Sequence, residues 1–308
     1  MRTQGFLASK CGIELSNSKS ELVLHWQCQQ RTYPLSSLLI LITAICISSR
    51  AATPETAAQD SSQWKLTWSD EFSGPNNSLP DGSKWSIEVG GHWFNNELQA
   101  YTNRPQNIHV ENGNLVITAT KEQYTGADGV SRSYTSARIN TRGKFAQKYG
   151  RFEARIMLPQ GQGMWPAFWL LGDDTGTVGW PKCGEIDIME NVGSRMSIAL
   201  GTIHGPGYSG GHGIGANYTL PNQQKFSDDF HVFAVEWEPA TIRFYVDGSL
   251  YETRTPADLP AGTKWVLDHP FFIILNLAVG GNLPGSPDAT TQFPQSMLVD
   301  YVRVYERK

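Results

Sequence analysis

Residues 184–193 read GEIDIMENVG and place three carboxylates, Glu185, Asp187 and Glu190, within six residues of an otherwise apolar run. Two carboxyl groups held close can break a glycosidic bond without metal or cofactor: one acts as nucleophile and the other gives and takes a proton. A third acid between them has a task as well, because like charges in close quarters cannot all ionise and one proton is retained or shared. The spacing poses a problem, however. Side chains of a strand alternate between faces, so offsets of 0 and 2 share a face whereas an offset of 5 does not. A β-bulge near Met189 would insert one extra residue and return Glu190 to the face of Glu185 and Asp187. The plain alternative is a polar strand face turned to water. Against it stand the apolar neighbours Ile186, Ile188 and Met189, Trp180 upstream, and three acids that repel one another with no cation among them.

Other residues could serve the same chemistry. The stretch GQGMWPAFWLL (161–171) and Trp180 supply rings on which the apolar faces of sugars stack, making Trp165, Trp169 and Trp180 candidates for binding. Tryptophan in a β protein is equally often core. Asn95 opens NNELQ (95–99), preceded by His92 and Trp93, a polar and aromatic stretch that is either a plain loop or a set of hydroxyl contacts. His204 lies in IHGPGYSGGHG and would stand on a strand antiparallel to the acids if the chain turns near Gly193 and Ser194. Two matches in this loop mislead. Residues 207–211 fit G-x-S-x-G and residues 205–210 fit G-x-G-x-x-G, yet both motifs need a following helix and the sequence continues Gly-His-Gly-Ile-Gly. No H-E-x-x-H, paired C-x-x-C or P-loop occurs, so metalloprotease, zinc-finger and NTPase readings have no residues to rest on.

The elements that must position these residues read as strands. Gly (30), Trp (10), Tyr (11) and Phe (13) are plentiful and no long stretch carries apolar residues at helical spacing, which predicts an all-β sandwich or barrel. Strand patterns recur at 114–121, 151–158, 230–237, 241–246, 271–278 and 297–305. In the second of these, Phe152, Ala154, Ile156 and Leu158 alternate with Arg151, Glu153 and Arg155, the pattern of a half-buried strand. Asn112-Gly113 and Asp247-Gly248 sit where hairpins need positive φ.

Residues 38–47 (LLILITAICI) are too short to span a bilayer of about 30 Å and read as the apolar core of a signal segment, with cleavage near Ala51 or retention as an N-terminal anchor. Residues 1–51 thus form a signal or anchor region, 52–62 a small polar linker, and 63–308 one folded domain; the product is expected to be secreted, periplasmic or at the cell surface, without a stable membrane span, and monomeric. Cys11, Cys28 and Cys46 fall in the leader, which leaves Cys183 alone in the body and no internal disulfide. After residue 51 the chain holds 20 Lys/Arg against 27 Asp/Glu, a net charge of −7, which disfavours a nucleic-acid partner.

From Trp64 to Lys308 the sequence resembles the laminarinase-like members of glycoside hydrolase family 16. The resemblance rests on WSDEF (68–72), NNELQ, KYGRFEARI (148–156), WPAFWLLG (165–172), GEIDIME, HGPGYSGG (204–211), ILNLAVGGN (274–282) and VDYVRVY (299–305), in that order. It implies a β-jelly-roll sandwich with a concave glycan cleft, a β-1,3-glucan as polysaccharide partner, and a retaining double displacement. Carried over by position, Glu185 is the nucleophile, Asp187 the auxiliary acid and Glu190 the general acid/base, while Asn95, Arg138, Trp165, Trp169 and His204 contact sugar. The resemblance also implies a structural Ca²⁺, not needed for catalysis, at Glu71, Gly113 and Asp300. Backbone carbonyls and a carboxylate suit that hard cation. Ala100 and Leu283 stand where many such sequences have aromatic residues, so a platform is expected to be missing at the ends of the cleft. Mixed-linkage glucan, agar or carrageenan, transglycosylation, and binding without cleavage remain the alternatives; intact acids favour an enzyme.

Overall fold

The computed structural model describes residues 8–13, 26–31 and 63–308. The apolar stretch 38–47 and the linker 52–62 lie outside the described residues. The chain divides into two compact units, Met1–Thr53 and Pro54–Lys308. In the first, β1 (Ala8–Ile13) and β2 (Trp26–Arg31) pair antiparallel, a pairing that the leader pattern did not suggest.

The second unit continues with β3 (Trp64–Asp70), β4 (Ser86–Glu88), β5 (Gln99–Tyr101), β6 (Ile108–Glu111), β7 (Asn114–Thr125) and β8 (Ser131–Ser136). Then come β9 (Arg138–Asn140), β10 (Gly150–Met157), β11 (Met164–Gly172), β12 (Glu185–Asn191), β13 (Ile198–His204) and β14 (Ile214–Thr219). The last are β15 (His231–Glu238), β16 (Thr241–Val246), β17 (Ser249–Arg254), β18 (Phe271–Val279) and β19 (Gln295–Arg307). One sheet runs β17-β16-β15-β10-β19-β7-β8-β5, with β3 added to β19 and β6 to β7. The other runs β14-β13-β12-β11-β18-β9-β4. Within this unit every pairing is antiparallel except β5 with β8. This is the expected sandwich, and among the described residues no helix is long and apolar enough to cross a membrane.

The period of two explains how the sheets stack. Ile242, Phe244 and Val246 of β16, and Phe152, Ala154 and Ile156 of β10, turn into a core shared with Phe168 and Leu170 of β11 and Ile186 of β12. Burying each large apolar side chain contributes about 1.5–3 kcal/mol. All nine residues of β18 are buried, because its outward residues Ile274 and Ala278 lie opposite Trp169 and Trp165 of β11. Hence FFIILNLAV reads as a continuous apolar run. Both expected two-residue hairpins form: Asn112 and Gly113 have φ of 51° and 77°, Asp247 and Gly248 49° and 77°.

Two expectations are corrected. The polar face of β10 is not solvated, since Arg151 is 4% and Glu153 3% exposed. They pair with each other and lie under Tyr245 and Tyr305, which hydrogen-bond the acids of the same network. Ala100, in β5, is fully buried, so no ring is lost from the cleft at that position.

Candidate active site

The bulge is present beside Met189, as the spacing of the acids requires. Against β11, Asp187 pairs with Trp169 and Met189 with Phe168, leaving Ile188 as the extra residue; Glu190 then pairs with Ala167. The shift recurs against β13, where Asp187 faces Thr202 and Glu190 faces Leu200. Ile186, Ile188 and Met189 all point into the core. With two consecutive core residues at the bulge, Glu185, Asp187 and Glu190 emerge together on the face turned away from it.

Each acid meets a different partner. Trp180 Nε1 donates to Glu185 Oε2 at 2.6 Å, and Trp165 Nε1 donates to Glu190 Oε1 at 2.8 Å. His204 ends β13 opposite Glu185, as the antiparallel pairing predicts, and its Nε2 lies 3.0 Å from Asp187 Oδ2. That contact is misaligned for a hydrogen bond, so the buried Oδ2 has no donor. Asp187 instead shares a hydrogen bond with Glu185.

Crowding of acids in a poorly hydrated recess governs their protonation. Burial first, then the charge of Asp187, pushes the Glu185 carboxyl up to about 8. Burial pushes Glu190 up to about 6, against the Trp165 N–H that favours its anion. Asp187, 3% exposed, is pushed well above the ordinary carboxylate range by burial and then by Glu190. The site therefore holds protons at neutral pH, which is what general acid catalysis requires.

A row of aromatic and polar groups runs from the acids across β11, β18, β9 and β4. Trp169 Nε1 donates to Asn276 Oδ1 at 2.7 Å, and Asn276 Nδ2 donates to the Tyr101 hydroxyl at 3.3 Å. The Arg138 guanidinium lies between the rings of Trp169 and Trp93, 4.9 and 5.4 Å from their centroids, and pairs with Glu88 at 3.0 Å. Tyr101 donates in turn to Glu97, whose carboxyl burial pushes up. Trp165, Trp169, Trp180, Arg138 and His204 thus join the acids on one surface, and Trp180 is 49% exposed. Asn95 enters through its backbone: its carbonyl accepts from Asn282 N–H at 2.8 Å beside Gly281, where an added Cβ would stand 3.0 Å from the Trp165 ring.

Asn276 and Glu88 were not singled out from the sequence, and Trp93 was noted there only as a neighbour of Asn95. Asn276 had a signal, as the one polar side chain inside the run FFIILNLAV. Glu71 and Asp300 are engaged elsewhere, by Arg303 at 3.0 and 2.8 Å and by Arg155 at 2.8 Å. A calcium beside them and Gly113 would have to rely on main-chain oxygens. Among the described residues, the one group of acids and histidine close enough to share an ion is Glu185, Asp187 and His204.

Comparison with known proteins agrees with this geometry. The model of a family described as glycosyl hydrolases family 16 matches residues 95–303. The β-glucanase of Rhodothermus marinus is 46% identical over 254 residues, 79% of this chain and 85% of its own. The laminarinase catalytic domain of Thermotoga maritima superposes with a TM-score of 0.75 at 51% identity, covering 79% of this chain and 98% of that one. The endo-β-1,3-glucanase of Pyrococcus furiosus gives 0.76 at 49% identity, covering 80% and 95%.

Proposed function

The chain belongs to glycosyl hydrolase family 16, and from that premise we propose that it is an endo-acting glycosidase that cleaves β-1,3-glucan of the laminarin type by a retaining double displacement. The observation that carries the reading is the extra residue Ile188, which brings Glu190 to the face of Glu185 and Asp187. The row Trp169, Arg138, Trp93 gives a neutral polysaccharide aromatic and hydrogen-bonding contacts beside the acids.

In this mechanism Glu185 attacks the anomeric carbon while Glu190 protonates the departing glycosidic oxygen; Glu190 then deprotonates the water that releases the sugar. Trp180 N–H supports the Glu185 anion, and a protonated Asp187 can hydrogen-bond to it. Between about pH 6 and 8 the two glutamates hold one proton between them. In the resting site that proton favours Glu185, so reaction proceeds from the other arrangement, with the proton on Glu190. Taken alone, the resting order would favour exchanged roles. Azide added to small-residue variants separates the two: replacing the nucleophile yields the azide of inverted configuration, replacing the acid/base the retained one.

The deciding experiment incubates the purified protein with laminarin, mixed-linkage glucan, agarose and carrageenan and follows products by size and anomer. Laminarin cut internally with retention is the expected result. Inversion would sink the double displacement. Binding without products would make the chain a recognition protein. Secretion, supported by the apolar stretch 38–47 and the residues after it, belongs to the same proposal, as does a monomeric state. So does a structural Ca²⁺ bound by main-chain oxygens near Glu71, Gly113 and Asp300, which a lower Tm on chelation would support.

A further inference from the structure

Phe94 is 85% exposed, the largest exposure among the large apolar side chains described. Its surroundings are far from loose. Glu97 N–H donates to the Phe94 carbonyl at 3.1 Å, closing a turn whose central residues Asn95 and Asn96 both have φ of 58°. Positive φ at both central positions is the type I′ geometry, which asparagine tolerates. The turn is pinned from the far side: Asn282 N–H donates to Asn95 O at 2.8 Å, and Asn96 Nδ2 donates to Asn282 Oδ1 at 2.7 Å. Immediately after it, Leu98 N–H donates to Val279 O at the end of β18.

The turn also abuts the active-site row at two points. On one side the Asn95 carbonyl and the Trp165 ring flank Gly281, and Trp165 holds Glu190. On the other, Trp93 packs edge-on against Tyr101 at 4.7 Å and faces Arg138. A ring carried on a pinned turn beside such a site and left 85% exposed contributes little to the core. Presented to a sugar, it offers a planar apolar face on a backbone whose ordering has already been met by the fold.

We infer that Phe94 forms an additional sugar-binding subsite at the rim of the cleft, stacking on a glucose unit of the chain beyond those held by Trp93, Arg138 and Trp169. The inference rests on the polysaccharide reading above and adds to it a preference for longer chains. Leu283, which follows the Asn282 that pins the turn, supplies no ring of its own.

The test measures KM and kcat of F94A, F94L and F94W on laminarin and on a series of β-1,3-gluco-oligosaccharides of falling length. For F94A and F94L, KM on laminarin should rise about three- to tenfold, with kcat changing less. The defect should shrink as the substrate shortens and disappear once the chain no longer reaches the rim. F94W, which restores a planar ring, should recover most of the affinity. A KM for F94A equal to wild type, a defect independent of chain length, or an F94L protein as good as wild type would each overturn the subsite. Failure of the glucanase reading shows separately, in the wild-type protein leaving laminarin uncut; Phe94 is then judged by the same length series on the polysaccharide it does cut.

Discussion

Two strands of this domain bury carboxylates, and they do so in opposite ways. On the outer face of β10, Arg151 Nε donates to Glu153 at 2.9 Å and Nη1 to Glu236 at 3.3 Å, while Tyr305 and Tyr245 donate to the same two acids at 3.2 and 2.9 Å. On β12, Asp187 is as deeply buried and Glu185 and Glu190 are half-buried, yet among the described residues none of the three forms an ion pair with Lys or Arg. Their partners are two indole N–H groups and a histidine. Attraction between opposite charges grows as water is excluded, and so does repulsion between like ones. The first network shares one cation between two acids and is structural. The second leaves the acids to compete for protons, which is costly to the fold and useful to the chemistry.

The largest effect that could break this contrast comes from neutralising an acid on each side. E185Q and E190Q should each lower turnover at least about a thousandfold while laminarin still binds, since in the proposed mechanism one removes the nucleophile and the other the proton donor. Neither should cost stability. A carboxyl whose folded-state pKa is raised stabilises the native state fully below its ordinary value and less as pH rises through the shifted one. For Glu185 that window runs from about 4.5 to about 8. E185Q escapes the loss, so its Tm relative to wild type should rise between pH 5 and pH 8. Near-normal turnover in either variant would end the assignment, and a falling relative Tm would show that the acids are not strained.

The opposite outcome is expected at Arg151. R151M leaves buried Glu153 and half-buried Glu236 without their cation, and should destabilise the domain by about 3–5 kcal/mol in denaturant melts. Turnover per folded molecule should not change, because the strand lies on the sheet that does not carry the acids. Replacing all three charges with apolar residues of similar size should recover most of the lost stability. If R151M were neutral, the outer ladder would be no more than surface decoration and the comparison would collapse.

The sequence reading of these two strands was uneven for a physical reason. E-x-D-x-x-E violates the period of two inside an apolar run, and a violation of that kind is visible without a structure; which of Ile188 and Met189 is the extra residue is not, because a bulge at either displaces the same side chains. RFEARIM obeys the period of two, so its polar face read as solvated. What buried it, Tyr245 on β16 and Tyr305 on β19, arrives from strands some 90 to 155 residues away, and such lateral cover has no local signature. Asn276 shows an intermediate case: a lone amide in a nine-residue buried strand announces a polar contact, but its partners Trp169 and Tyr101 follow only from the strand order. The elements themselves were legible because alternation and Asn-Gly or Asp-Gly turns are local. Pairing across the sandwich is not.

A smaller effect sharpens the account of the acids. Because the two glutamates hold a single proton between about pH 6 and 8, kcat/KM should be bell-shaped with limbs near those values: below the lower limb no carboxylate is free to attack, and above the upper one no acid remains to protonate the leaving oxygen. A profile flat from pH 5 to 9 would contradict the shared proton.

The two indoles then offer the finest test. Trp165 N–H stabilises the anion of Glu190, and Trp180 N–H that of Glu185. Removing a donor from a buried carboxylate raises its pKa, by about one unit for a hydrogen bond of about 1.5 kcal/mol to a charged group. W165F should therefore raise the lower limb toward 7, and W180F should raise the upper limb toward 9, each keeping a ring for the sugar. The opposite assignment, W165F moving only the upper limb, would mean that the proton order in the resting site is reversed, with Glu190 the stronger holder. Movement of neither limb would mean that the indoles serve stacking alone. The outer ladder would then differ from the cleft only in its arginine, and the donors that surround the acids would have no part in setting their charge.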